Sequence, residues 1–424
     1  MHQFKHIIIH AGSPKTATTS IQETLFANHV KNGNGWHFYY PKSWMPNHSK
    51  HVSIIGNGNS QPVLFLNRYI SPSKFLSFIY RKTLLNELYD CSSDTLVISA
   101  EGLYVAPEPS LMNVKRFFDS VSPSAKITVV IFTRNPVSSF NSGFQEGTKR
   151  FFYFSADDLA VLREFAYKDI KPFQKFIHVF GKENVNVHKF EDAINHTFGP
   201  VGYFYENILN IPAEDIHKIN IQKCNESLSQ IATDLNLFIN EKIPVFKHGK
   251  WGGVRVKGDL RLIGKAISGE RFKLSKHDRY ELLDGSCSFI NYLKDEFDIH
   301  YSIEELRTVI DQDSEPSHIP NCKNLEEIER IFDLLDYKIK RCIIDYLREI
   351  LQMIDKNNET HGDLVCCIEQ LEHKKHRLIN RCLVSLIRKK RGLDHVCRQL
   401  LLPLMSYLRF TSRKMWIQLL RTCC

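Results

Sequence analysis

The chain has 424 residues, of which 43% are apolar, 11% are aromatic and 24% are charged, which excludes a collagenous, coiled-coil or wholly disordered protein. Single hydrophobic cores rarely grow past about 250–300 residues, so this length predicts two or three domains. No apolar run approaches the roughly 20 residues that cross a bilayer. The start of the sequence lacks the apolar core of a signal peptide, so a cytoplasmic protein is expected.

Charge and cysteine are concentrated near the C-terminus. The formal net charge of the chain is +9, and residues 365–424 alone carry a net charge of about +10. The eleven cysteines are odd in number and lack zinc-ligand spacing, which predicts reduced thiols. We therefore predict three parts: a main domain over 1–310, a helical connector over 311–364, and a basic helical module over 365–424.

Short apolar runs that end in small or polar residues predict buried strands. These runs cover residues 5–10, 95–100, 127–133 and 184–190. Helical patterns lie between and after them, at 18–29, 72–89, 225–307 and 321–356, the last as one long helix or a helical pair. Strands that alternate with helices predict an α/β fold with three layers, in which helices cover both faces of a mostly parallel sheet.

The first predicted strand runs into the sequence HAGSPKTATTSIQ, where a turn rich in Gly, Ser, Pro and Thr leads into a helix. A helix N-terminus presents unpaired N–H groups and a positive dipole, so it binds phosphate. Lys15 adds a full positive charge to this turn. The spacing is neither that of a Walker loop nor that of a dinucleotide-binding loop. An ordinary hydroxyl cap is the alternative, and Lys15 favours a phosphate site.

A second candidate phosphate site follows the predicted strand 127–133. Arg134 ends this strand, and Ser142 follows eight residues later in the sequence RNPVSSFNS. A guanidinium can bind a phosphate through two parallel hydrogen bonds, and Pro136 suits the first turn of a helix that carries Ser142. Taken alone, Arg134 is typical of a structural ion pair. Its place after the first loop favours phosphate binding.

Together these two motifs resemble the nucleotide site of sulfotransferases. SPKTATTS is similar to their 5′-phosphosulfate loop, PKxGTTS, and the Arg134 and Ser142 pair is similar to their 3′-phosphate site. The resemblance implies a P-loop NTPase-like sulfotransferase fold and 3′-phosphoadenosine 5′-phosphosulfate (PAPS) as co-substrate, with no metal. It implies that Lys15 lies at the bridging oxygen of the phosphosulfate. The loop residues that it implies for PAPS are Pro14, Lys15, Thr16, Ala17, Thr18, Thr19 and Ser20, where Ala17 replaces the glycine of the family and restricts positive φ.

Sulfuryl transfer also needs a group that accepts the proton of the acceptor hydroxyl. Glu101 directly follows the predicted strand 95–100, where cytosolic sulfotransferases carry a histidine, and we expect it to face Lys15 across adjacent strand ends. A capping or ion-paired glutamate is the alternative. His48 is a second candidate acid or base, or a polar loop residue. With His51 it could form a metal pair, but no third ligand is in view and we predict no metal site.

A later segment, HGKWGGVRVKGD, resembles the loop RKGxxGDW that closes over the nucleotide in sulfotransferases. The resemblance implies contacts with the 3′-phosphate, and a solvated basic loop is the alternative. The residues concerned are Lys250, Arg255, Lys257 and Gly258.

The basic C-terminal sequence HRLINRCLVSLIRKKR is amphipathic at helical spacing. Such a helix can lie on an anionic membrane, where each Lys or Arg is worth about 1 kcal/mol, or it can pack against the main domain. An acidic polysaccharide is a further possible partner. Nucleic acid is disfavoured because no recognition motif accompanies the charge. Peripheral association with the inner membrane surface is therefore an option for this otherwise cytoplasmic protein.

The sequence as a whole favours a sulfotransferase that moves a sulfuryl group from PAPS to a hydroxyl of a small-molecule, carbohydrate or other glycan-type acceptor. Lys15 and Glu101 are its candidate catalytic residues, with His48 as a further candidate. A nucleotide-dependent kinase is one alternative, which the absence of Walker spacing disfavours. The other alternative is a catalytically silent, membrane-associated interaction protein on a nucleotide-binding fold.

Overall fold

Five parallel strands form a central sheet in the order β2-β3-β1-β4-β5. The strands are β1 His6–Ala11, β2 Phe38–Tyr39, β3 Thr95–Ala100, β4 Lys126–Thr133 and β5 Val185–Lys189. The structure is a computed structural model. It describes residues 4–28, 38–41, 85–86, 88, 91, 93–149, 170–223, 227–244, 246–247, 250–251, 255 and 260–389.

The central strands are mostly apolar because both faces of the sheet are covered. In β1, the side chains of Ile7 and Ile9 join a core cluster on one face, and that of Ile8 joins a cluster on the other. The four predicted strands are confirmed as β1, β3, β4 and β5. The first helix, α1 Thr18–Asn28, packs Ile21 and Leu25 into the same cluster as Ile8.

Helices cover both faces of this sheet, which confirms the predicted three-layer α/β fold. The cluster that contains Ile8 also takes side chains from α6 Phe190–Asn195 and α7 Gly199–Asn207. The opposite cluster takes side chains from α3 Glu108–Val121, α5 Lys171–Phe180, α10 Lys276–Gly285 and α11 Cys287–Phe297. The other helices described within residues 1–318 are α2 Glu101–Val105, α4 Pro136–Lys149, α8 Gln230–Lys242, α9 Arg261–Ala266 and α12 Ile303–Gln312.

Shorter elements also occur in the described part of this unit. A two-stranded antiparallel hairpin joins β6 Phe246–Lys247 to β7 Lys250–Trp251. Two 3₁₀ turns cover Lys182–Asn184 and Ala213–Lys218. The predicted helix over 72–89 lies almost wholly outside the described residues.

Residues 319–424 form a second unit, and the division from the first falls at residue 318. Its described part consists of α13 Cys322–Phe332, α14 Tyr337–Met353 and α15 Glu359–Lys389. Residues 321–356 are thus a helical pair. Helix α15 runs without a break through position 364, where the sequence suggested a boundary. Its side chains are described as far as Lys375, so the amphipathic stretch lies beyond the described contacts.

The helices of this second unit are fixed by caps and by a small apolar core. Asn321 forms a capping box with Asn324 at the start of α13, and the Asp336 side chain caps α14. Leu325 and Leu371 are buried between the helices. No helix of the described residues has both the length and the apolar character that a membrane span needs.

Candidate functional site

Three of the predicted site segments lie at the carboxyl edge of the sheet. Strand β1 lies between β3 and β4, so the segments that follow these three strands are neighbours. Ala11 pairs with Ala100, and the Gly12 amide donates to the Ala100 carbonyl at 3.4 Å. In open α/β sheets, ligands bind at the carboxyl ends of strands. This edge therefore brings together the loop after β1, Glu101 after β3, and Arg134 after β4.

Hydroxyl groups close the loop after β1. The Ser13 hydroxyl donates to the Phe132 carbonyl at 2.5 Å, which ties the loop to β4. The hydroxyls of Thr16 and Thr18 both donate to the Ser13 carbonyl, at 2.8 and 3.4 Å. Thr16 and Thr18 are buried, so in this structure their hydroxyls stabilise the loop. A role for them, or for Thr19, toward a phosphate stays a prediction.

The backbone of this loop is left-handed at two residues that are not glycine. Lys15 has φ 65° and Ala17 has φ 56°. Only glycine adopts this region without steric cost, so the backbone is strained at both residues. At Gly12 the contact is tight: a Cβ there would lie 2.3 Å from Thr18 Cγ2. The loop therefore needs glycine at position 12 and tolerates strain at position 17.

Lys15 points to α4. Its Nζ lies 3.2 Å from Glu146 Oε2, and Lys149 Nζ lies 3.6 Å from the same oxygen. Ser142 is four residues before Glu146, so both share one face of the helix. Glu146 on this face contacts Lys15, and a role for Ser142 toward a phosphate stays a prediction. Glu146 was not predicted from the sequence, because its contact with Lys15 spans 131 positions and no local pattern signals it.

Arg134 reaches the loop from the other side. Its guanidinium donates to the Lys15 carbonyl at 3.4 Å, and its carbon lies 5.6 Å from the centre of the Phe190 ring. The Arg134 Nε is buried and has no hydrogen-bond partner among the described residues. Burial lowers the pKa of Arg134, and the nearby Glu191 carboxylate opposes this effect. An arginine held here with an unused buried donor is suited to an anion.

Glu101 occupies the place that the sequence indicated, but it is not the acid that contacts Lys15. It is the first residue of α2, directly after β3, and it is exposed. The ion pair of Lys15 is with Glu146. Glu101 therefore lies at the end of the strand adjacent to β1, where an acceptor could approach it from solvent.

Arg255 differs from its expected role. Its side chain is buried, and its guanidinium donates to Asn240 Oδ1 at 2.7 Å and to the Ile243 carbonyl at 3.3 Å. It therefore anchors the end of α8, and neither a phosphate contact nor a solvated loop describes it. The side chain of Lys250 and all of His48, Lys257 and Gly258 lie outside the described residues.

A buried histidine supports the strand under the loop. His10 is fully buried in β1, its Nδ1 lies 2.8 Å from Ser99 Oγ, and the Gln22 amide donates to the same hydroxyl at 3.2 Å. Burial, reinforced by the nearby His188, lowers the pKa of His10 from 6.5 to about 3. His10 is therefore neutral at physiological pH and joins β1, β3 and α1.

Comparisons with known proteins add little to this geometry. The chain matches no protein-family model and no curated protein. Among solved structures it is similar to a sulfotransferase from Alicyclobacillus acidocaldarius, with 13% identity and a TM-score of 0.31, over 53% of this chain and 87% of that one. A TM-score of this size does not establish a common fold. Among the described residues, no group of three or more His, Cys, Asp or Glu side chains could hold a metal ion.

Proposed function

We propose that the chain is a sulfotransferase that transfers a sulfuryl group from PAPS to a hydroxyl of a carbohydrate or other glycan-type acceptor. One observation carries this proposal: the two phosphate motifs, 119 residues apart, meet where the Arg134 guanidinium donates to the Lys15 carbonyl. Lys15 and Arg134 are two cationic residues at the same edge of the sheet, and they match a nucleotide that carries phosphate at both its 5′ and 3′ positions.

The residues present fit such a nucleotide. The N-terminus of α1 and the Lys15 side chain offer N–H donors and charge for the 5′ side. Arg134 offers an unused buried donor for the 3′-phosphate, and Ser142 offers a hydroxyl from the face of α4 that contacts Lys15 through Glu146. PAPS, when bound, supplies the sulfuryl group and a phosphate leaving group.

The chemical roles follow from this placement. Glu101 accepts the proton of the acceptor hydroxyl while the new S–O bond forms and the bond to the 5′-phosphate breaks. Lys15 neutralises the charge that develops on the departing phosphate. Such electrostatic stabilisation is usually the largest single contribution to catalysis. For this role Lys15 must exchange its contact with Glu146 for one with the nucleotide.

A calorimetric titration tests the proposal. 3′-Phosphoadenosine 5′-phosphate should bind the wild-type chain more tightly than adenosine 5′-phosphate or ATP. Arg134→Ala should weaken binding of the 3′-phosphorylated nucleotide by about 10- to 150-fold, because a charge-assisted hydrogen bond is worth about 1.5–3 kcal/mol. Binding of adenosine 5′-phosphate should barely change.

Arg116→Ala is the matched control, since Arg116 is an exposed arginine of α3. It should leave all three affinities as they are. If Arg134→Ala loses affinity equally for 3′-phosphoadenosine 5′-phosphate and adenosine 5′-phosphate, or if the wild-type chain prefers ATP, the assignment is overturned in favour of a kinase or a nucleotide-binding protein of another class.

A further inference from the structure

A carboxylate outside both motifs holds the turn that carries Arg134. Glu191 lies in the first turn of α6. Its Oε1 accepts hydrogen bonds from the backbone N–H of Asn135 at 3.0 Å and from Asn135 Nδ2 at 2.8 Å. Asn135 in turn caps the start of α4, because its Oδ1 accepts from the Ser138 amide at 2.9 Å. One carboxylate oxygen thus fixes the residue next to Arg134 through both its backbone and its side chain.

The second oxygen of Glu191 binds a residue from much later in the chain. The Tyr301 hydroxyl donates to Glu191 Oε2 at 3.0 Å and lies 3.3 Å from the Thr133 carbonyl. Tyr301 is buried, and Lys189 Nζ lies 4.9 Å from the centre of its ring. The residues on both sides of Arg134 are therefore fixed by the same pair of side chains.

Glu191 holds this turn without forming a described hydrogen bond to the Arg134 guanidinium. Among the described contacts, its hydrogen bonds go to Asn135 and Tyr301, and those of Arg134 go to the Lys15 carbonyl. The negative charge is close enough to oppose the effect of burial on the pKa of Arg134. Glu191 therefore places a negative charge near Arg134 while leaving the donors of the guanidinium available.

We propose that Glu191 is a positioning residue that sets the selectivity of this site for nucleotides with a 3′-phosphate, by holding residues 133–135 so that Arg134 stays directed at that phosphate. This inference rests on the proposed function and extends it to a residue that no motif contains.

The test measures a ratio of affinities. Dissociation constants for 3′-phosphoadenosine 5′-phosphate and adenosine 5′-phosphate are measured by calorimetry for the full chain and its variants. Glu191→Ala should reduce the preference for the 3′-phosphorylated nucleotide about tenfold, because Asn135 and Tyr301 lose their acceptor and Arg134 loses its orientation. Glu191→Gln keeps an acceptor for Asn135 but loses the charge, so the reduction should be about threefold. Tyr301→Phe should behave like Glu191→Gln.

Asp313→Asn is the matched structural control. Asp313 accepts hydrogen bonds from Lys273 at 2.6 Å and Arg279 at 2.7 Å, so its replacement destabilises the same unit through a different carboxylate. We expect a lower midpoint of thermal unfolding with an unchanged affinity ratio. A merely structural role for Glu191 would give the same result as this control.

The outcomes separate the two proposals. If Arg134→Ala loses the 3′-phosphate preference while Glu191→Ala keeps it, the inference about Glu191 is wrong and the proposed function stands. If the wild-type chain shows no such preference, the proposed function itself is wrong. Should Glu191→Ala fail to fold, an unchanged ratio in both Glu191→Gln and Tyr301→Phe would overturn the inference.

Discussion

The two proposed phosphate-binding regions are stabilised in different ways. The loop after β1 is stabilised mostly by its own residues: Thr16 donates to Ser13, three positions away, and the left-handed backbone is at Lys15 and Ala17. The turn after β4 is held from a distance, since Asn135 binds a carboxylate 56 residues later. Its other support, Tyr301, lies 168 residues after the Thr133 carbonyl that its hydroxyl approaches.

The two regions therefore differ in which contacts determine their shape. The shape of the loop depends mostly on its own short sequence, because the hydroxyls of Thr16 and Thr18 bond within the loop and the hydroxyl of Ser13 alone of these three reaches β4. The turn keeps its shape only while α6 and the segment before α12 are packed in place. Substitutions far from Arg134 are therefore expected to change recognition of the 3′ end of the nucleotide, while the 5′ end depends on substitutions within the loop.

The largest predicted effect concerns Glu101, which belongs to neither region. Glu101→Gln should reduce turnover by about 10²- to 10⁴-fold, the usual contribution of a general base, while nucleotide affinity barely changes. The measurement is transfer of labelled sulfuryl groups from PAPS to a panel of sugar and phenol hydroxyls, alongside calorimetry with 3′-phosphoadenosine 5′-phosphate. Both binding regions should remain intact in this variant.

Glu108→Gln, in the first turn of α3, is the control and should keep full turnover. If Glu101→Gln stays active and His48→Ala is inactive, the base belongs to the histidine segment. If Glu101→Gln loses less than about tenfold, the glutamate caps or pairs within its own segment and contributes no base catalysis.

The sequence predicted the strands well because a parallel sheet covered on both faces produces continuous apolar runs. The predicted strand 95–100 matches β3, and Pro136 begins α4 as expected. Strand β2 has only two residues, too few for a pattern. Ala17 was expected to restrict positive φ, yet its φ is 56°, in the left-handed region that favours glycine.

The supporting residues of the site could not be predicted in the same way. Glu146 meets Lys15 across 131 positions, and Glu191 meets Asn135 across 56, so no local pattern encodes either contact. Arg255 shows that a local pattern can also mislead. A basic, glycine-rich segment indicates an exposed loop, yet in the folded chain the Arg255 guanidinium donates a hydrogen bond to Asn240.

The next prediction tests the strand on which the loop stands. The unfolded chain protonates His10 near its ordinary pKa of 6.5, whereas the folded chain resists protonation until about pH 3. Because the unfolded state then binds more protons, stability falls as pH drops through this window, by about 2 kcal/mol between pH 7 and pH 5 from this residue. Urea unfolding at the two pH values measures the change.

His10→Asn keeps a polar group near Ser99 Oγ and removes the titration, so its stability should depend less on pH over the same interval. Some dependence should persist, because burial also lowers the pKa of His188 and of His6. An unaltered dependence in His10→Asn would show that this histidine is not kept neutral by burial.

A smaller effect is expected at Glu146, which lies on α4 after the second region and contacts Lys15 of the first. Glu146→Gln removes a negative charge 3.2 Å from Lys15 Nζ and frees the lysine for the nucleotide. Affinity for 3′-phosphoadenosine 5′-phosphate should rise about two- to fivefold at low salt, the range for a partly exposed ion pair, and the gain should shrink as salt increases.

Asp119→Asn, which breaks an exposed ion pair with Lys115 on α3, is the control and should leave affinity unchanged. Weaker binding in Glu146→Gln would reverse the interpretation. Glu146 would then be a residue that orients Lys15 toward the nucleotide, and the loop would be less self-contained than its internal hydrogen bonds indicate.

The smallest predicted effect is at Ala17, where φ is 56°. A Cβ in the left-handed region costs about 1–2 kcal/mol, and replacement by glycine removes this cost. Part of the gain is lost because glycine also increases the entropy of the unfolded chain. Ala17→Gly should therefore raise the free energy of unfolding by about 0.5–1 kcal/mol. Ala27→Gly on α1, where the backbone is helical, should lower it instead. If urea unfolding shows that both variants lose stability, the strain at Ala17 is compensated by its packing, and the loop depends on contacts beyond its own residues.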